Sequence, residues 1–235
     1  MRKRLTILAC VLLAAALLIT LVCVGTAHVR DRRAAEEWAQ TFRDYYNAKV
    51  AGYEEENAAL TPGEVDVVFL GDSLTDGYDL ATYYPQYVTL NRGIGGDTTY
   101  GLEDRLQVSV YDVQPRVAVM LIGVNNLSTM LENYERILQG FAEQLPNTEI
   151  VLLSLTSMGD SWGRNNEHAA YNNVYVRALA EKYGYHFVDL YTALLNFETG
   201  EIHAAYTTDG GHLTPLGYTV FTETLTPVLA ELLGK

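Results

Sequence analysis

The sequence predicts an α/β fold: a doubly wound, three-layer α/β/α sandwich built on a parallel sheet. Two observations predict it. Short apolar runs alternate with amphipathic segments of helical period along residues 64–235, joined by short turns. Such alternation implies parallel strands covered on both faces. Polar residues also recur just after several of these runs, at the edge where open α/β sheets keep their ligands.

A chain of 235 residues has room for one well-buried domain and little more. Its composition, 49% hydrophobic and 19% charged, is that of a folded globular protein. Residues 1–33 stand apart. Arg2-Lys3-Arg4 precede an uncharged run from Leu5 to Ala27, and Arg30-Asp31-Arg32-Arg33 follow it. At about 1.5 Å per residue the run is long enough to cross a hydrocarbon core of about 30 Å as a transmembrane helix. Its length fits a retained signal anchor better than a cleaved signal peptide, although Gly25-Thr26-Ala27 offers small residues for cleavage. The expectation is a single-pass membrane protein with an extracytoplasmic domain, or a secreted one if the signal is removed.

Both cysteines, Cys10 and Cys23, lie in that segment, so the rest of the chain has no disulfide, thiol nucleophile or cysteine metal site. Without residues 1–33 the chain keeps 10 basic residues against 28 acidic ones, a net of −18. Such a surface repels nucleic acid and favours a neutral or cationic substrate.

Taken in order, residues 34–63 read as a connecting amphipathic helix. Trp38, Phe42, Tyr45, Tyr46, Val50 and Tyr53 form its apolar stripe, and Thr61-Pro62-Gly63 breaks it. The domain proper, residues 64–235, opens with Val65–Leu70, a buried-strand run that stops at Gly71-Asp72-Ser73. A sharp turn there puts Ser73 at the carboxyl end of a central strand, as a candidate nucleophile that needs a base and oxyanion donors. Tyr87–Asn91 is the second strand. It leads to Gly93-Ile94-Gly95-Gly96-Asp97, whose glycines permit close backbone approach and free amides for an anion. Thr98 or Thr99 caps a helix to about Leu106. Val117–Ile122 is the third strand, and Asn125 beyond it can donate its carboxamide N–H to an oxyanion.

A helix with Leu131, Tyr134, Ile137, Leu138, Phe141 and Leu145 on one face leads to the fourth strand, Glu149–Leu155. The polar loop Thr156–Asn166 carries Trp162 and Arg164, candidate substrate-binding residues. A helix over Asn166–Tyr183 and a fifth strand, His186–Leu190, follow. Thr214-Pro215 starts the last helix, which Pro227 should kink or divide. Asp209 and His212 sit just before it. Three residues apart on one loop, the carboxylate can hold one imidazole nitrogen while the other faces the serine.

Ser73, Gly96, Asn125 and the Asp209/His212 pair each follow a strand or precede a helix, so a parallel sheet would gather them on one edge. No Gly-x-Ser-x-Gly elbow is present. Four blocks in order resemble the GDSL, or SGNH, hydrolases: Gly71-Asp72-Ser73-Leu74, Gly93-Ile94-Gly95-Gly96-Asp97, Gly123-Val124-Asn125-Asn126 and Asp209-Gly210-Gly211-His212. The third block departs from the family's usual Gly-x-Asn-Asp, with Asn126 at its end.

The resemblance implies a five-stranded, flavodoxin-like parallel sheet and an esterase mechanism without metal or cofactor. In it Ser73, Asp209 and His212 are catalytic, and Ser73, Gly96 and Asn125 form the oxyanion hole. The family acts on lipids, thioesters and acetylated sugars. The polar loop bearing Trp162 and Arg164 points to short acyl esters of carbohydrate ahead of longer acyl chains, as a lysophospholipase, lipase or thioesterase would take. A membrane-tethered binding module without activity is the alternative outside enzymes.

Overall fold

The computed structural model describes every residue except Met1, Pro62 and Lys235, and leaves the side chains of residues 1–19, 21–23 and 27 undescribed. It forms two compact units, Met1–Ala48 and Lys49–Lys235. Helix α1 spans Arg2–Ala58, so the break predicted near residue 62 falls just beyond its end. Of the six residues of the aromatic stripe, Tyr53 alone is buried, while Trp38 is 69% exposed and stacks on Phe42 at 5.8 Å. Among the described residues no helix is long and apolar enough to cross a membrane. The Leu5–Ala27 run expected to do so lies almost wholly outside the residues whose side chains are described.

In the larger unit, strands β1 (Val67–Gly71), β2 (Thr89–Gly93), β3 (Val117–Leu121), β4 (Glu149–Leu153) and β5 (His186–Val188) form one parallel sheet in the order β2-β1-β3-β4-β5. Every residue of β1 and β3 is buried, which is why these strands read as continuous apolar runs instead of alternating ones. The register sets Gly71 beside Gly93 on one side and Leu121 on the other. Three strands therefore end level with one another. The strand order reverses between β1 and β3, and the crevice at such a switch point is where open sheets place ligands.

The connecting helices are α2 (Ser73–Asp76), α3 (Leu80–Tyr83), α4 (Thr99–Asp104), α5 (Leu131–Gln144), α6 (Asn166–Tyr183), α7 (Leu190–Leu194) and α8 (Pro215–Leu233). Tyr134, Ile137, Leu138 and Phe141 of α5 are buried, as their spacing predicts.

Several boundaries differ from expectation for local reasons. β4 stops at Leu153, short of Leu155, because the Asn173 carboxamide takes over the strand's pairing: it accepts from Leu155 N–H at 2.7 Å and donates to Leu155 C=O at 3.1 Å. The fifth strand ends at Val188 because Asp189 caps α7, accepting from Thr192 N–H at 3.0 Å. α4 ends at Asp104 and continues as a π-turn over Gln107–Tyr111. Pro227 does not divide α8, where Leu225 and Leu229 on either side of it are fully buried. Hydroxyls of Thr222, Thr224 and Thr226 donate to carbonyls one turn back in the same stretch. A two-stranded hairpin, β6 (Leu195–Asn196) with β7 (Glu201–Ile202), was not legible in the sequence.

Helix α2 crosses the end of β2 so closely that a Cβ on Gly93 would lie 2.2 Å from Asp76 N. Backbone cannot yield as a flexible side chain would. Gly93→Ala is therefore expected to lower the unfolding free energy by about 1–3 kcal/mol, as overpacking does, measured by urea denaturation.

Candidate active site

The serine turn is set by two residues before it. Gly71 ends β1 where a Cβ would lie 2.2 Å from Thr75 Oγ1 and 2.4 Å from Leu121 O, so only glycine lets the chain turn there. Asp72 then caps α2, its carboxylate accepting from Leu74 N–H at 3.1 Å. Ser73 becomes the first residue of that helix, half-buried at the switch point.

The histidine arrives on the loop ahead of α8. An antiparallel bridge between Thr207 and Leu213 closes this loop, and Gly210 takes φ +98° within it. Asp209 Oδ1 accepts from the N–H groups of Gly211 at 3.0 Å and His212 at 2.8 Å, leaving Oδ2 to meet His212 Nδ1 at 2.6 Å. His212 Nε2 lies 3.1 Å from Ser73 Oγ. Residues 139 apart in sequence thus form one hydrogen-bonded line, Asp209–His212–Ser73. Burial pulls the Asp209 carboxyl upward, but hydrogen bonds from His212 and the Gly211 and His212 amides outweigh it and hold the group below its ordinary value. Asp209 therefore stays anionic, able to fix the Nδ1–H tautomer.

The other wall comes from the β2 and β3 ends. Gly96, at φ +82°, lies in the turn in which Asp97 N–H donates to Ile94 O at 3.0 Å. Gly123, at φ +126°, precedes a single 3₁₀ turn that carries Asn125 and Asn126. Asn125 Nδ2 donates to Asp97 O at 2.9 Å, so the carboxamide is tied to the Gly96 loop. Asn126 faces away: its Nδ2 donates to Thr99 Oγ1 at 2.9 Å and its Oδ1 accepts from Thr99 N–H at 3.2 Å, joining this turn to the start of α4. The departure at Asn126 thus lies in a supporting bond, in which an amide serves as both donor and acceptor.

The loop after β4 closes over the site. Trp162 meets the His212 ring edge-on at 5.5 Å, against Gly211, where a Cβ would lie 1.9 Å from the indole. Arg164 Nη2 donates to Asn125 Oδ1 at 3.0 Å and its guanidinium stands 5.4 Å from the Trp162 ring centre. All seven residues singled out in the sequence therefore lie on this edge of the sheet.

Sequence reasoning missed the groups beneath. Arg105, 2% exposed, pairs with Asp97 at 2.9 Å and donates to Gly71 O at 3.0 Å and Arg92 O at 2.8 Å. A lone arginine near apolar positions carries no sign that it will be buried. Asp76 bridges Lys49 at 2.5 Å and Gly95 N–H at 3.1 Å.

Asp72 is 1% exposed, and burial pushes its carboxyl up to about 7, against the Leu74 N–H bond. An acid whose folded pKa is raised lends stability at pH below its unfolded value of about 3.9, and loses it as pH climbs through about 7. Asp72→Asn, which keeps an acceptor for Leu74 N–H, is expected to gain stability relative to wild type between about pH 4 and 7, then level off. Urea denaturation of both proteins across that range checks it.

A family model described as the GDSL-like lipase/acylhydrolase family matches residues 69–220. Among curated proteins none matches the sequence. Of the solved structures, a protein from Streptococcus pneumonia provisionally described as a platelet activating factor is 27% identical, with a TM-score of 0.77 over 83% of this chain and 98% of its own. A GDSL-like lipase from Bacteroides thetaiotaomicron is 23% identical, with a TM-score of 0.70 over 77% and 97%. An acetyl xylan esterase from Geobacillus stearothermophilus is 21% identical, with a TM-score of 0.59 over 72% and 95%. The last two likenesses are likenesses of fold.

Proposed function

The chain belongs to the GDSL-like lipase/acylhydrolase family of serine ester hydrolases, and on that premise we propose that it removes short acyl groups, acetyl above all, from carbohydrate through an acyl-enzyme on Ser73. The observation that carries the chemistry is the unbroken line from Asp209 Oδ2 through His212 to Ser73 Oγ, at 2.6 and 3.1 Å. Ser73 Oγ attacks the ester carbonyl while His212 Nε2 takes its proton, then returns it to the departing alcohol. Water attacks the acyl-enzyme by the same route in reverse. Asp209 holds the imidazole and offsets its positive charge. The tetrahedral oxyanion is taken by the backbone N–H groups of Ser73 and Gly96 and by Asn125 Nδ2.

For the substrate, the supporting observation is a cavity of about 350 Å³ beside the Asp209 loop. Ser161, Thr207, Thr208, Asp209 and Glu201 line it. Hydroxyl and carboxylate groups there suit the hydroxyls of a sugar leaving group better than an acyl chain. Trp162, the residue after Ser161, packs beside His212 and supplies a flat apolar face for a sugar ring. The net charge of −18 over residues 34–235 favours a neutral or cationic polymer. Tethering by the Leu5–Ala27 segment on the outer side of a membrane would bring cell-surface polysaccharide within reach.

The test is hydrolysis of p-nitrophenyl esters of increasing acyl length by wild type and Ser73→Ala, with a fluorophosphonate probe alongside. The expected result is fast acetate cleavage that fades by butyrate, probe labelling of wild type, and loss of both in the variant. A preference for octanoate or longer moves the reading to lysophospholipase, lipase or thioesterase activity. No turnover and no labelling leave a membrane-tethered binding module.

A further inference from the structure

Arg164 stands outside the Ser73–His212–Asp209 line and outside the three oxyanion donors, yet its guanidinium touches one of those donors. We propose that Arg164 is a positioning residue that fixes the Asn125 carboxamide in its donating orientation; the inference rests on the esterase reading above.

A carboxamide can face a site either way round, and only one way offers an N–H to a developing oxyanion. Asn125 is held from two sides by groups with no freedom of role. Asp97 O, a carbonyl that only accepts, lies 2.9 Å from Nδ2. Arg164 Nη2, which only donates, lies 3.0 Å from Oδ1. A flipped amide would set oxygen against the Asp97 carbonyl and NH₂ against the guanidinium, losing both bonds. With one Nδ2 hydrogen on Asp97 O, the second is left for the oxyanion. The bond from Arg164 is charge-assisted, so it also draws electron density toward Oδ1 and makes Nδ2–H a stronger donor.

Gly163, at φ +67°, turns the chain between Trp162 and Arg164. One side chain thereby packs on His212 while the other reaches Asn125. The loop thus joins the base to the oxyanion side of the site. An arginine that merely gripped substrate would not need its donor on a protein carboxamide.

The experiment is a double-mutant cycle on p-nitrophenyl acetate with Arg164→Met, Asn125→Ala and the pair, and with Arg164→Lys as the conservative variant. Asn125→Ala is expected to lower kcat about 10²–10³-fold, as loss of one oxyanion donor does. Arg164→Met should lower kcat about tenfold with KM unchanged, a fraction of that effect because the donor remains but is no longer fixed. In the pair, kcat should fall no further than in Asn125→Ala alone. Arg164→Lys should keep part of the lost activity, and added guanidinium should restore part of it to Arg164→Met. Multiplicative losses in the pair, or a rise in KM with kcat unchanged, would overturn the proposal while leaving the esterase reading intact. A wild-type protein inert toward acetate and every longer ester and toward the fluorophosphonate would overturn both.

Discussion

The buried pair of Arg105 and Asp97 is the contact on which the site depends. Both side chains are almost wholly enclosed, at 1% and 2% exposure, so neither charge has water to fall back on. The guanidinium satisfies its donors on Asp97, Gly71 O, Arg92 O and Ser109 Oγ. Those acceptors belong to the end of β1 just ahead of Ser73, the end of β2, the loop that carries Gly96 and the π-turn after α4. A single cation thereby clamps the nucleophile turn to the oxyanion loop. Removing one partner of such a pair costs about 3–5 kcal/mol, because the other charge stays buried and unpaired. Asp97 passes the constraint on, since its own carbonyl accepts from Asn125.

The second constraint joins the serine to the histidine, which lie at opposite ends of the folded region in sequence. Tyr218 of α8 donates its hydroxyl to Leu74 O at 2.9 Å, one residue past the nucleophile. Its ring stacks on Tyr78 at 4.8 Å, and Tyr78 in turn packs on Phe69 of β1 and Phe221 of α8. Such rings bury large apolar areas while their hydroxyls find partners. Because α8 begins just after the His212 loop, its docking against α2 determines the 3.1 Å approach of Nε2 to Oγ. The aromatic cluster behind the site and the buried ion pair beneath it act on different halves of the same geometry.

Where sequence reasoning misplaced an element, a side chain had replaced backbone pairing or ended it early. Asn173 occupies the place of a neighbouring strand beside Leu155, and Asp189 caps a helix that begins at Leu190, the expected strand end. These are capping and mimicry effects, and they depend on a neighbour that periodicity does not reveal. The unbroken course of α8 through Pro227 has the same origin: apolar packing on both sides outweighs a local preference for a break.

By itself the sequence determined the layer architecture, because short continuous apolar runs and the 3.6-residue hydrophobic period report burial directly. It also determined which residues end up on the carboxyl edge, since Ser73, Gly96, Asn125, Asp209 and His212 all flank strand or helix ends. Turn chemistry at Gly71-Asp72 and Thr214-Pro215 is local, and so was readable. Only the tertiary structure decided the partners across that edge. Arg105 beneath Asp97, Asn126 on Thr99, Trp162 on His212 and Arg164 on Asn125 each join segments between eight and 50 residues apart. No local propensity encodes such distances; they follow from strand order and from the turns at Gly123 and Gly163, which set where each loop crosses the sheet edge.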